Sequence, residues 1–180
     1  DARKIIDKLW PDSLTIVLKK RDSLPPNVTA GLDTVAVRMP ASREARGFIR
    51  ACGVPLAAPS ANKSGRPSPT SVLQVAEDMD GRLPVILSGR NCRVGIESTV
   101  LDLTGEAPVV LRPGIVSAAS IERVLSKRVV YLKEDAPSAK LNSPGLRYRH
   151  YAPCCEMALN LDGDREKIFA RYSCLLYTSD

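Results

Sequence analysis

Short apolar runs, each cut off by Pro, Gly, Ser, Asn or Asp and separated by segments of helical period, limit most tightly what this chain can fold into. Residues 14–18, 34–37, 54–58, 85–87, 98–103 and 109–111 read as strands. Four amphipathic segments lie around them. Ile5, Ile6 and Leu9 share one face of a helix closed by Pro11, and Ala45, Phe48, Ile49 and Cys52 share a face of a second, capped by Ser42 and stopped by Gly53. A third runs over 70–79 with Val72, Leu73, Val75, Ala76 and Met79 giving a broad apolar face, and a fourth runs from a Ser117 cap to Leu125. Strands interleaved with helices predict an α/β fold around one mixed sheet. With 180 residues, 44% of them hydrophobic, the chain has the material for a real core.

Composition narrows the partners. The net charge is +6, and cations cluster at 19–21, at Arg43, Arg46 and Arg50, at Lys127 and Arg128, and at 147–150. Such an excess suits an anionic ligand, either a nucleotide or a nucleic acid. Aromatic residues make up only 4%, a poor supply for a base-stacking platform. No apolar run reaches the ~18 to 20 residues of a membrane helix and no signal-peptide pattern opens the chain, so a soluble, cytoplasmic protein is expected. The five cysteines, Cys52, Cys92, Cys154, Cys155 and Cys174, are odd in number and lack zinc-type spacing, which predicts reduced thiols and no metal site.

Three regions are expected: a domain over 1–132, a linker over 133–155 containing Pro144-Gly145 and ending near Pro153, and the truncated start of a second α/β domain over 156–180. The chain begins inside a helix at Asp1, which suggests missing upstream sequence. Residues 173–180, SCLLYTSD, look like translated vector sequence.

Four segments place polar groups at the ends of apolar strands. In TVAVRMP, Thr34 and Arg38 stand four apart and share a strand face, directing a hydroxyl and a cation into one cleft or leaving an edge arginine in a surface ion pair. VPLAAPSANKSGRPSPT carries Ser60, Asn62 and Ser68 past a small-residue strand that includes Ala58. It suits an ordinary surface loop or a phosphate or carboxylate cradle. GIESTVLDLTG sets Ser98 and Thr99 at a strand's start, a turn or a site. In VVLRPG, Arg112 ends a buried strand with a planar fork suited to bidentate anion binding. The sole histidine, His150, has no nucleophile arranged beside it, so no conventional catalytic set is present. Hydroxyls, arginines and backbone amides still serve reactions that need positioning and charge stabilisation, phosphoryl and nucleotidyl transfer among them.

PDSLTIVL, DTVAVRMP, GVPLAAPSANKSGRPSPT, VGIESTVLDLTG, VVLRPG and SPGLRYRHYAP, in this order and spacing, resemble the threonylcarbamoyl-AMP synthase family, the YrdC-type enzymes, over roughly residues 1–153. The last motif resembles the interdomain linker of two-domain members. The resemblance implies a YrdC-like twisted mixed sheet with flanking helices, followed by the linker and the start of a second domain. It implies a nucleotidyltransferase that condenses L-threonine, bicarbonate and ATP to threonylcarbamoyl-AMP and pyrophosphate, with Mg²⁺ accompanying ATP. The product would pass to a separate transferase complex that modifies tRNA, with no direct nucleic-acid readout required. By motif, Thr34, Ser60, Ser68, Arg112 and Tyr151 would contact ATP and Asn62 would neighbour its phosphates. Arg38, Ala58 and Ser98 would hold L-threonine.

Asp12-Ser13 departs from the Gly-Pro of many relatives. The family's N-terminal segment, with a threonine-binding turn and a Lys-x-Arg pair for the triphosphate, has no counterpart here, so the chain as written is expected to be inactive. The competing readings are a carbamoyl-adenylate-forming domain of a hydrogenase-maturation carbamoyltransferase, which should lack the SPGLRYRHYAP linker, a double-stranded RNA-binding module, and a small-ligand-binding remnant without catalysis.

Overall fold

The computed structural model describes residues 1–132. Its elements are α1 (Ala2–Leu9), β1 (Leu14–Lys19), β2 (Thr34–Val37), α2 (Arg43–Cys52), α3 (Val72–Met79), β3 (Thr99–Asp102), β4 (Val109–Arg112), α4 (Ala118–Leu125) and β5 (Val130–Tyr131). The strands form one sheet in the order β2-β1-β3-β4-β5. It is mixed, as expected. β1/β2 and β3/β4 are antiparallel, while β1/β3 and β4/β5 are parallel.

Alternation along the strands separates two faces. On one, Leu14, Ile16, Leu101 and Val110 pack with Ile5 of α1 and with Ile121 and Leu125 of α4, all 2% exposed or less. Burying each such side chain contributes about 1.5–3 kcal/mol, which makes this layer the main source of cohesion. Trp10 closes it by donating its indole N–H to the Leu14 carbonyl at 2.8 Å, and Lys127 at the end of α4 bonds Asp1 at 2.6 Å. The other face holds a smaller cluster, Val17, Val100 and Leu111.

The helix signals read from sequence operate as cap geometry. The Ser42 hydroxyl accepts from the Ala45 N–H, and Gly53 ends α2 in the left-handed region at φ 70°. α3 starts slightly later than expected, because Ser71 rather than Thr70 caps it and closes a capping box with Gln74.

Two predicted strands are absent. Residues 54–58 and 85–87 belong to no strand, with Val54, Leu56, Val85 and Leu87 from 41% to 69% exposed. A strand exists only by pairing, and no described strand offers these segments a partner. The apolar faces expected of α2 and α3 are only partly covered among the described residues: Phe48 is 50% and Leu73 78% exposed, while Ala45, Ile49, Val72, Val75, Ala76 and Met79 are half-buried. β5 lies outside the runs read as strands, although Val129, Val130 and Tyr131 are strand-forming residues, and it pairs beside β4 after α4.

Candidate functional site

The face of the sheet that carries Val17, opposite α1 and α4, gathers the polar residues. Ala36 pairs with Val17 and Thr34 with Lys19. Thr34, Ala36 and, one alternation further, Arg38 therefore share the face of Val17. Continuing that register by one residue sets exposed Arg38 opposite Thr15 on the neighbouring strand. Thr34 is 9% exposed at the start of β2. The expected sharing of one face by Thr34 and Arg38 is what the strand pairing produces.

From the next strand, Ser98 reaches the same face two residues before Val100. It is 5% exposed, and its Oγ lies 2.8 Å from Thr15 Oγ1. Arg112 then arrives from the end of β4. Its Nε and Nη2 both donate to the Ser98 carbonyl at 3.1 and 3.0 Å, and Nη2 also donates to Ser98 Oγ at 3.2 Å. Thr15, Ser98 and Arg112 thus form one network, with a fixed cation set against a serine hydroxyl.

Backbone approach locks this corner. A Cβ built on Gly114 would collide with the Thr99 nitrogen and meet the Glu97 carbonyl oxygen at 2.7 Å, so the turn after Arg112 lies against the strand start that carries Ser98. Thr99 Oγ1 donates to the Val116 carbonyl at 2.8 Å and ties the following segment to the same place.

The second set, Ala58, Ser60, Asn62 and Ser68, lies on one connected loop outside the sheet; Ala58 and Ser60 are exposed, Asn62 and Ser68 half-buried. Asn62 Nδ2 donates to the carbonyls of Lys63 and Arg66 at 3.0 and 2.9 Å. Arg66 in turn bonds the buried Asp78 carboxylate of α3 at 2.6 Å. A hollow of about 350 Å³ adjoins this loop, with Ala61, Pro69, Val72, Val75, Leu87 and Arg90 among its lining. Tyr151, the linker and the start of the second domain lie outside the described residues. So do Cys154, Cys155 and Cys174, whereas Cys52 and Cys92 are free and exposed thiols.

Thr15 and Asp78 escaped the sequence reading, though each left a signal. Thr15 is the one hydroxyl within the strand LTIVL, and Asp78 is a lone carboxylate on the helical face of Val75. Among the described residues, no group of three or more His, Cys, Asp or Glu side chains could hold a metal ion. The polar groups present are hydroxyls, amides and guanidinia, a set that suits an anion.

This fold and its motif-bearing face define a known class. The profile of the Sua5/YciO/YrdC family, described as "Telomere recombination", matches residues 1–114, and the chain belongs to that family. The threonylcarbamoyl-AMP synthase of Pyrococcus abyssi is 46% identical over 172 residues, covering 93% of this chain and 49% of that protein. The Bacillus subtilis enzyme of the same name is 45% identical over 168 residues, covering 93% and 48%. The crystal structure of P. abyssi Sua5 complexed with L-threonine matches with a TM-score of 0.82 and 42% identity, over 97% of this chain and 52% of that one. The chain spans about half the length of the curated relatives it matches.

Proposed function

We propose that the protein carrying this chain is an L-threonylcarbamoyladenylate synthase, a nucleotidyltransferase that acts on L-threonine, bicarbonate and ATP and supplies threonylcarbamoyl-AMP to a tRNA-modifying transferase. The observation that carries this reading is the gathering of Arg38, Ser98 and Arg112 about Thr15 on the sheet face that also bears Thr34 at the far end of β2, in a chain 46% identical to a synthase of that name. Arg38, exposed at the end of β2, pairs with the threonine carboxylate, and Ser98 and Ala58 complete the amino-acid side. Thr34, Ser60, Ser68 and Arg112 hold the nucleotide, with Asn62 near its phosphates, and Tyr151 closes over it.

The chemistry follows from these placements. The threonine amine takes up the carbon of bicarbonate with loss of water. A carbamate oxygen then attacks the α-phosphorus of ATP, and the bond to the bridging oxygen breaks to release pyrophosphate. Holding both reactants in one cleft contributes up to about 7–11 kcal/mol to lowering such a barrier. Arg112, already oriented by Ser98, offsets charge as pyrophosphate leaves, and Mg²⁺ accompanying ATP would supply further neutralisation of the phosphates.

Pyrophosphate release by the full-length protein tests the reading. It should require L-threonine and bicarbonate together. Release without threonine would instead indicate carbamoyl-adenylate formation, and salt-sensitive binding to duplex RNA without ATP turnover would indicate the RNA-binding alternative. Arg38→Ala should abolish threonine binding in calorimetry and leave ATP binding in place. Unchanged threonine affinity would remove Arg38 from its role.

A further inference from the structure

Asp78 is 5% exposed and sits in the last turn of α3, where the negative end of the helix dipole disfavours a carboxylate. A buried carboxylate at such a place is tolerated only if donors compensate it. Here the donors come from the loop. The Lys63 backbone N–H reaches Oδ2 at 3.0 Å, and Arg66 Nη1 reaches Oδ1 at 2.6 Å. Between those two points the chain turns tightly: the Arg66 N–H donates to the Lys63 carbonyl at 3.1 Å, and Gly65 takes φ 86°, a conformation that costs a glycine little. Asn62 Nδ2 bridges the carbonyls of Lys63 and Arg66 from the other side. The clamped turn begins three residues after Ser60 and ends two before Ser68, the two hydroxyls assigned to ATP.

We propose that Asp78 is a positioning residue for the nucleotide site: it fixes the turn over 63–66 and so sets the separation and direction of Ser60 and Ser68. Arg66, which by its place in a phosphate-type loop looks like an anion ligand, acts through Asp78 on the loop itself. The inference rests on the synthase reading given above.

Calorimetric titration of the full-length protein with ATP and, separately, with L-threonine tests it. Removing both loop contacts in Asp78→Ala should weaken ATP binding about tenfold or more and leave threonine affinity within about twofold. Asp78→Asn retains an oxygen that accepts the Lys63 N–H, so it should recover most of the lost ATP affinity. Should Asp78→Ala fail to fold, Asp78→Glu replaces it: the extra methylene displaces the turn and should weaken ATP alone. ATP affinity unchanged in Asp78→Ala and Asp78→Glu, or equal loss of both ligands, overturns the proposal. A wild-type protein that binds threonine but no ATP defeats the synthase reading and this proposal with it. Wild-type ATP binding unaffected by the Asp78 variants defeats this proposal only.

Discussion

Gly114 shows how one residue type can hold a site together. A Cβ at this position would collide with the Thr99 nitrogen, backbone on both sides, so neither partner can rotate away. Gly114→Ala should destabilise the fold by about 2 kcal/mol in chemical denaturation, the usual cost of overpacking a tight site. Asp78 makes a prediction of a different kind. Its carboxyl is held below the usual carboxylate range, chiefly by the Lys63 backbone N–H and further by Arg66. A depressed folded value means that the clamp is fully formed above the unfolded carboxyl value of about 3.9 and is lost only as pH falls through the lower folded value. The Lys63 amide resonance should therefore hold its position from neutral pH down to about pH 4 and move only below it. A shift already complete by pH 5 would contradict the clamp.

At the scale of elements, the helices divide by what they bury. α1 and α4 pack Ile5, Ile121 and Leu125 onto the sheet, while α2 and α3 keep Phe48 and Leu73 in solvent. Ile121→Ala should cost about 3 kcal/mol in this 180-residue chain, whereas Leu73→Ala should stay within about 0.5 kcal/mol. Thermal or urea melts of the two variants separate these outcomes. The same division marks where sequence patterning was sufficient. Residues 14–18, 34–37, 98–103 and 109–111 were legible as strands because β-branched runs met turn residues, and each also found a neighbour. Residues 54–58 and 85–87 carry the same pattern but pair with no described strand, and periodicity contains no information about a partner.

For the whole molecule, the two polar sets predict coupled binding. Thr34 and Arg112, read as nucleotide contacts, share the sheet face with Arg38 and Ser98, read as threonine contacts, so each ligand should find its site partly organised by the other. In the full-length protein, saturating ATP should tighten L-threonine binding by about fivefold or more, and by linkage threonine should tighten ATP equally. Independent affinities would separate the two sites.

Sequence by itself determined the α/β class, the caps at Ser42 and Ser117, the shared face of Thr34 and Arg38, and the family, because these depend on local spacing and on ordered motifs. Only the tertiary structure decided that Thr15 joins Ser98 and Arg112, that Arg66 answers to Asp78, and that Gly114 must stay bare. Those contacts link residues between 12 and 83 positions apart, and which distant groups meet is set by strand order and register rather than by any local pattern.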